Sequence, residues 1–229
     1  IKREEAWRIM AQQVGHEFNN PLTTMKLNLQ QFQRIYNDNP QSANERLMST
    51  TTLLLEEIET LEKISSNFRD FAKMPPPSNE ILQLNALVQS TFDFFKQSGE
   101  VEMSMQMSDE KLFVFADKDQ LKRVLTNLIK NAVQAIPNYR NGVVKVSLYQ
   151  DDFHAVIKIT DNGIGIPFDK KDKIFEPHFT TKNTGTGIGL YMCKSMIELA
   201  NGRIYFESEP DKFTNFYVSL PLINSTESL

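Results

Sequence analysis

Apolar residues in the first third of the chain recur in steps of three and four. Met10, Val14, Phe18, Leu22, Met25, Leu29, Phe32 and Tyr36 form one stripe, which predicts an amphipathic helix from about Lys2 to Tyr36. Asn37-Asp38-Asn39-Pro40 breaks it, and Ser42 or Asn44 can cap the next helix. Leu47, Thr51, Leu54, Ile58, Leu61, Ser65, Phe68 and Ala72 then keep a near-heptad spacing to about Lys73, with Thr51 and Ser65 as weak points. Two long helices and a short connection predict an antiparallel hairpin. A lone hairpin leaves much of both stripes in water, so a four-helix bundle formed by dimerisation is expected. Packing of the stripes on the rest of the chain is the alternative.

Met74-Pro75-Pro76-Pro77-Ser78-Asn79 is stiff and ends the second helix. Beyond it the period changes. Strands are expected at Ile81–Leu84, Val101–Met107, Leu112–Ala116, Val143–Tyr149, Phe153–Thr160, Arg203–Ser208 and Phe213–Leu220. The turn between the fourth and fifth strands is placed at Gln150-Asp151-Asp152. Helices are expected from an Asn85 cap to Gln97, from an Asp117/Gln120 capping box to Ile136, and from the glycines before Leu190 to Leu199. The fold class is therefore α+β: a helical hairpin, residues 1–74; a proline linker, 75–79; an α/β sandwich with a mixed sheet and helices on one face, 80–223; and a tail, 224–229.

Composition narrows the classes of function. The chain has 229 residues and a net charge of −4, which gives no electrostatic case for nucleic acid. Its single cysteine, Cys193, excludes an internal disulfide and fits a reducing cytoplasm. No apolar run is long enough to span a bilayer, so no membrane contact is expected from this stretch. The chain opens at Ile1 inside a helical pattern. It reads as a piece of a longer protein, and that protein is free to carry a membrane anchor upstream.

One reactive side chain faces away from the first stripe. His16 lies two residues from both Val14 and Phe18, among Gln12, Gln13, Asn19 and Asn20. Pro21 lacks an N–H and presses on the Glu17 carbonyl, which should bend the helix there. An imidazole beside a carboxylate on a kinked helix is a candidate nucleophile.

Four stretches of the second region suit a nucleotide. Asn127 and Asn131 lie one turn apart on a helix, and amide oxygens are hard ligands that suit Mg²⁺ shared with phosphates. Hydrogen bonds to backbone are the plainer use for them. Asp161-Asn162-Gly163-Ile164-Gly165 follows a strand; a carboxylate there can accept from an exocyclic amine while glycines let backbone approach a flat base. Phe175-Glu176-Pro177-His178-Phe179-Thr180-Thr181-Lys182 sets apolar anchors before hydroxyls and a lysine. Gly185, Gly187 and Gly189, followed by Leu190, open a helix whose N-terminus can offer N–H groups to phosphate. The arrangement is neither a dinucleotide fingerprint nor a P-loop.

Taken together, these residues resemble a sensor histidine kinase of two-component systems over nearly the whole chain, most closely the nitrogen-regulation type. His16-Glu17-Phe18-Asn19-Asn20-Pro21-Leu22-Thr23 is similar to the phosphoacceptor box. The stretches at Asn127–Asn131, Asp161–Gly165, Phe175–Phe179 and Gly185–Gly189 are similar to the asparagine, first glycine, phenylalanine and second glycine boxes, in the family's order. The resemblance implies a dimerisation and phosphotransfer domain followed by a Bergerat (GHKL-like) ATP-binding domain. It implies ATP and Mg²⁺ as cofactors, autophosphorylation of His16, and transfer to an aspartate of a response regulator receiver domain.

The same resemblance assigns individual roles. Glu17 orients the imidazole, and Asn20 serves a phosphatase activity on the regulator. Asp161 reads adenine, Asn131 with Asn127 holds the metal, and residues 167–186 form a lid that brings Lys182 to the phosphates. Thr214 reaches adenine through water. Three departures stand out: Asn19 replaces a frequent lysine or arginine, His178 replaces a frequent phenylalanine, and Lys212-Phe213-Thr214 lacks the usual glycine. A GHKL-type ATPase and a non-enzymatic docking scaffold are the rival readings. Such ATPases carry a glutamate where this chain has Asn127, and an amide cannot act as a general base.

Overall fold

The computed structural model describes residues 2–72, 77–176 and 189–223, and the side chains of all of these except 2–13, 16, 63 and 67–72. The chain divides into two compact units, one helical and one mixed.

The helical unit is a hairpin of α1 (Lys2–Asp38) and α2 (Pro40–Ala72). Asn39 alone connects them. Its backbone N–H donates to Ile35 O at 2.8 Å, and its Oδ1 accepts from the Gln41 and Ser42 N–H groups at 3.1 and 3.3 Å. Asn39 is therefore the cap, in place of the expected Ser42 or Asn44. Pro40 follows at the first helical position, where a missing N–H costs nothing. α1 runs on through Pro21, which is buried.

The expected apolar stripe of α1 proves to be two. Val14 is buried and Phe18, Met25 and Phe32 are half-buried, whereas Leu22, Leu29 and Tyr36 stand 47, 52 and 57% exposed at seven-residue intervals. The second helix splits likewise. Ala43 and Ile64 are buried and Leu54 and Leu61 half-buried, while Leu47, Leu55 and Ile58 are exposed. Thr51, an expected weak point, sends its hydroxyl back to the Leu47 and Met48 carbonyls.

The mixed unit follows the expected order. Its elements are β1 (Glu80–Gln83), α3 (Leu84–Lys96), β2 (Glu102–Gln106), β3 (Phe113–Ala116), α4 (Lys118–Gln134), β4 (Val143–Asp151), β5 (His154–Asp161), α5 (Gly189–Leu199), β6 (Arg203–Glu209) and β7 (Phe213–Pro221). β1 and β3 form an antiparallel pair. The main sheet has the order β2-β4-β5-β7-β6, parallel only between β2 and β4. A 3₁₀ turn at Phe168–Lys173, unexpected from sequence, follows the glycines after β5.

The sequence explains which face is which. On β5, Ala155, Ile157, Ile159 and Asp161 alternate inward with His154, Lys158 and Thr160 outward. Leu121, Val124, Leu125, Leu128 and Ile129 give α4 its buried face, and Cys193, Met196 and Ile197 give α5 its own. Each such buried aliphatic side chain contributes about 2 kcal/mol. On the outer face Tyr217 and Tyr205 stack at 4.7 Å and Lys158 Nζ lies 5.2 Å above Tyr217. Burial there pushes the Tyr217 phenol well above its usual range, helped by its hydrogen bond to Glu207.

Of the caps of α3 and α4, one differs from expectation and one agrees. Gln83, not Asn85, precedes α3. Asn85 instead accepts from the Leu112 N–H at 2.9 Å and donates to the Ser108 and Glu110 carbonyls, fastening the loop that leads into β3. At α4, Asp117 Oδ1 caps Gln120 N at 2.9 Å as expected, and its Oδ2 accepts from Ser78 N at 2.8 Å. The Gln120 side-chain Nε2 is buried without a partner. The turn between β4 and β5 sits at Asp152 and Phe153, with Asp152 at φ 48°, one step later than expected.

Candidate functional site

The site in the mixed unit is built on one row across the sheet. Val144 pairs with Asp161, Asp161 with Thr214, and Thr214 with Ser208, so the last three residues lie side by side on the helix-facing side of β5, β7 and β6. Asp161 is 2% exposed and Thr214 3%. The sequence sets this up: β5 and β6 are apolar on that face until their last inward position, and antiparallel β7 is apolar after its first, so a polar residue stands at the same end of all three strands.

The turn after Asp161 is tight for identifiable reasons. Asp161 Oδ1 accepts from Gly163 N at 2.8 Å, and Ile164 N donates to Ala135 O at 2.9 Å. A Cβ on Gly163 would lie 2.6 Å from Ala135 O. Gly165 takes φ 66°, and a Cβ there would lie 2.2 Å from Glu209 O. Both glycines are needed by the backbone before any ligand is considered.

Arg140 closes this turn from outside. Its Nη1 donates to Asn162 O and Gly163 O at 2.6 and 2.7 Å, and its Nη2 donates to Asp211 O at 3.1 Å. Asn162 braces the same loop: its Oδ1 accepts from Val143 N and its Nδ2 donates to Asn141 O, both at 2.8 Å. Sequence reasoning missed Arg140 and Ser208, since neither falls at a motif position and their partners are largely backbone groups supplied by the fold.

The two asparagines meet as their spacing implied. Asn131 Nδ2 donates to Asn127 Oδ1 at 3.0 Å, and both side chains are half-buried on α4. Gly189 begins α5 against Asn127, and Leu190, next to it, is half-buried. Phe175, just after the 3₁₀ turn, lies edge-on to Phe206 and Phe216 with centroids 5.9 and 6.4 Å away. Lys182, Gly185 and Gly187 lie outside the described residues, as does the side chain of His16. The His16 backbone is helical; Glu17 beside it is half-buried, and Asn20, one turn on, is exposed.

The chemistry on offer follows from these groups. A buried carboxylate and a hydroxyl at one end suit a hydrogen-bond donor on a flat ligand. Paired amides next to a helix N-terminus suit a hydrated divalent ion and phosphate oxygens. Among the described residues no cluster of three or more His, Cys, Asp or Glu could hold a metal ion, so the amides are the available hard donors. The one thiol takes no part: burial pushes Cys193 up to about 12.

Residues 116–224 match the family model described as histidine kinase-, DNA gyrase B-, and HSP90-like ATPase, and residues 6–77 match the His Kinase A (phospho-acceptor) domain. Sporulation kinase B of Bacillus subtilis (strain 168) is 30% identical over 214 residues, 93% of this chain and 49% of that protein. Signal transduction histidine-protein kinase AtoS of Escherichia coli (strain K12) is 32% identical over 91% of this chain and 34% of its own. This chain thus spans about half or less of the curated relatives it matches. The solved catalytic domain of histidine kinase ThkA is 30% identical with a TM-score of 0.56, over 63% of this chain and 95% of that one. ThkA in its complex with response regulator protein TrrA is 26% identical with a TM-score of 0.68, over 97% of this chain and 64% of that one.

Proposed function

Since the chain belongs to the sensor histidine kinases of two-component signalling, we propose that it phosphorylates itself on His16 with ATP and passes the phosphoryl group to an aspartate of a response regulator. The observation that carries this reading is the pairing of Asp161 with Thr214 at the buried end of β5 and β7, with the turn after Asp161 bonded through Ile164 N to Ala135 O at the end of the helix that carries Asn127 and Asn131. Asp161 accepts from the adenine amine, and the glycine turn lets the backbone lie against the base. Asn127 and Asn131 hold Mg²⁺, which supplies neutralisation of the phosphate charge. Lys182 and the glycines at 185, 187 and 189 complete the phosphate end.

His16 attacks the γ-phosphorus through one ring nitrogen, and the bond to the ADP oxygen breaks. Glu17 accepts from the other ring nitrogen and makes the attacking one a better nucleophile. Asn20, exposed one turn later, positions a water against the phosphorylated regulator. Its amide is no base, so it serves dephosphorylation and not autophosphorylation.

The chain works as a homodimer. The support is the exposed series Leu22, Leu29 and Tyr36 on α1 with Leu55 on α2. A response regulator receiver domain is the partner, as ThkA has TrrA. Among the described residues no helix is long and apolar enough to cross a membrane. The kinase core acts in the cytoplasm, in keeping with its single buried thiol.

The test is incubation with γ-labelled ATP and Mg²⁺. Acid-labile label on the protein, lost in His16→Ala while ATP still binds, is the expected result. Free phosphate alone would favour the ATPase reading, and neither product would favour the scaffold.

A further inference from the structure

Ser208 sits at a junction that the kinase reading leaves unused. Its Oγ accepts from the Ile166 N–H at 2.8 Å, lies 2.8 Å from Phe213 O, and lies 3.1 Å from Thr214 Oγ1. Its own carbonyl accepts from Lys171 Nζ at 2.5 Å. Ser208 is 8% exposed, so these contacts form away from bulk water.

A serine hydroxyl has one proton and two lone pairs. The Phe213 carbonyl can only accept and is the nearer oxygen, so it takes the Ser208 proton. The Ile166 N–H fills one lone pair. The remaining lone pair faces Thr214 Oγ1, and two oxygens at 3.1 Å need a proton between them. Only Thr214 can supply it. The Thr214 hydroxyl therefore spends its single donor on Ser208 and turns lone pairs alone toward the pocket. Asp161, its neighbour in the row, is an acceptor as well when ionised.

We infer that Ser208 is a specificity-determining positioning residue: by fixing the direction of the Thr214 hydroxyl it makes the base end of the pocket acceptor-only, which selects a purine carrying an amine there over one carrying a carbonyl. This rests on the reading of the site as an ATP site. Without Ser208 the Thr214 hydroxyl is free to turn and donate to a carbonyl.

The experiment compares ATP with inosine triphosphate, which has a carbonyl where adenine has its amine. Calorimetric titration of the whole chain with each Mg²⁺ nucleotide gives an affinity ratio. Ser208→Ala should reduce that ratio about tenfold, the worth of one ordinary hydrogen bond. Ser208→Thr, which keeps a hydroxyl, should hold it. In a Thr214→Val background, Ser208→Ala should leave the ratio unchanged, because no hydroxyl remains to be turned.

Equal ratios in wild type and Ser208→Ala, or an equal drop in both backgrounds, would overturn the inference. Should Ser208→Ala fail to fold, Ser208→Cys fills the same space with a much weaker acceptor and carries the same expectation. Failure of both to fold would overturn it too, leaving Ser208 a purely structural residue. A wild-type chain that binds neither nucleotide would instead overturn the ATP reading itself.

Discussion

Gly189 and Asn127 touch where α5 meets α4: a Cβ on the glycine would lie 2.6 Å from Asn127 Nδ2 and 3.0 Å from its Oδ1. The last glycine of the second stretch thus packs directly on the asparagine pair. Gly189→Ala must push the Asn127 amide aside and break its bond to Asn131. The fold should survive, since the displaced group is a half-buried side chain. Affinity for Mg²⁺-ATP by calorimetry should fall roughly tenfold, about 1.4 kcal/mol. Unchanged affinity would divorce this contact from the metal role of the amides.

Arg140 holds three carbonyls with one guanidinium. An ammonium cannot reproduce that fork. Arg140→Ala should weaken ATP by about 10- to 100-fold, because charged hydrogen bonds contribute roughly 1.5–3 kcal/mol each and the turn bearing Gly163 relaxes without them. Arg140→Lys should recover little. Millimolar guanidinium should restore part of the binding to Arg140→Ala, while methylammonium should not. Equal rescue by both ions would show that only charge matters.

How much of this was legible in the chain can be judged from such residues. The placement of Asn127 and Asn131 one turn apart and of Asp161 at a strand end was legible, because helical spacing and strand alternation fix such positions locally. The order of strands and helices was legible for the same reason: alternation and three-four spacing are local patterns. Arg140 and Ser208 were not, since their partners are mainly carbonyls and N–H groups that exist as a set only after distant segments meet. Asn85 resembles a cap in sequence, yet it braces a loop. The α1 stripe looked single because an apolar pattern marks two contact faces alike, one for α2 and one left exposed.

That division bears on assembly. Leu29 and Leu55 are 52 and 61% exposed, whereas Leu54 and Leu61 are half-buried in the hairpin. Glutamate at Leu29 or Leu55 should dissociate the dimer, seen by light scattering, with helical content by circular dichroism retained. Glutamate at Leu54 or Leu61 should lower the helical content as well, because a buried unpaired charge costs several kcal/mol. A wild-type chain that is monomeric at micromolar concentration would refute the dimer.

Cys193 gives a pH dependence with a definite sign. Its thiol pKa is pushed up to about 12 by burial, against about 8.5 for a free thiol. Between these values the unfolded chain has lost the proton and the folded one keeps it. This group therefore contributes its full stability below the free value and loses it as pH rises toward the folded one. Denaturant midpoints should fall across that window less steeply in Cys193→Ala than in wild type. Below it, a thiol reagent should label the native protein only as fast as the chain opens; rapid labelling would contradict the burial.

The single-residue connection at Asn39 has a consequence for the order in which the chain becomes structured. Closing so short a loop takes little entropy, and the two helices can then zip outward from the turn. The β5–β7 ladder is different: it joins segments with the glycine stretches, the 3₁₀ turn, α5 and β6 all between them. Folding speed falls as contacts become less local. A ribosome releasing this chain would therefore present a formed hairpin first. The surface for a second copy would exist before the row of Asp161, Thr214 and Ser208 comes together, so subunits can pair while the nucleotide site is still being assembled.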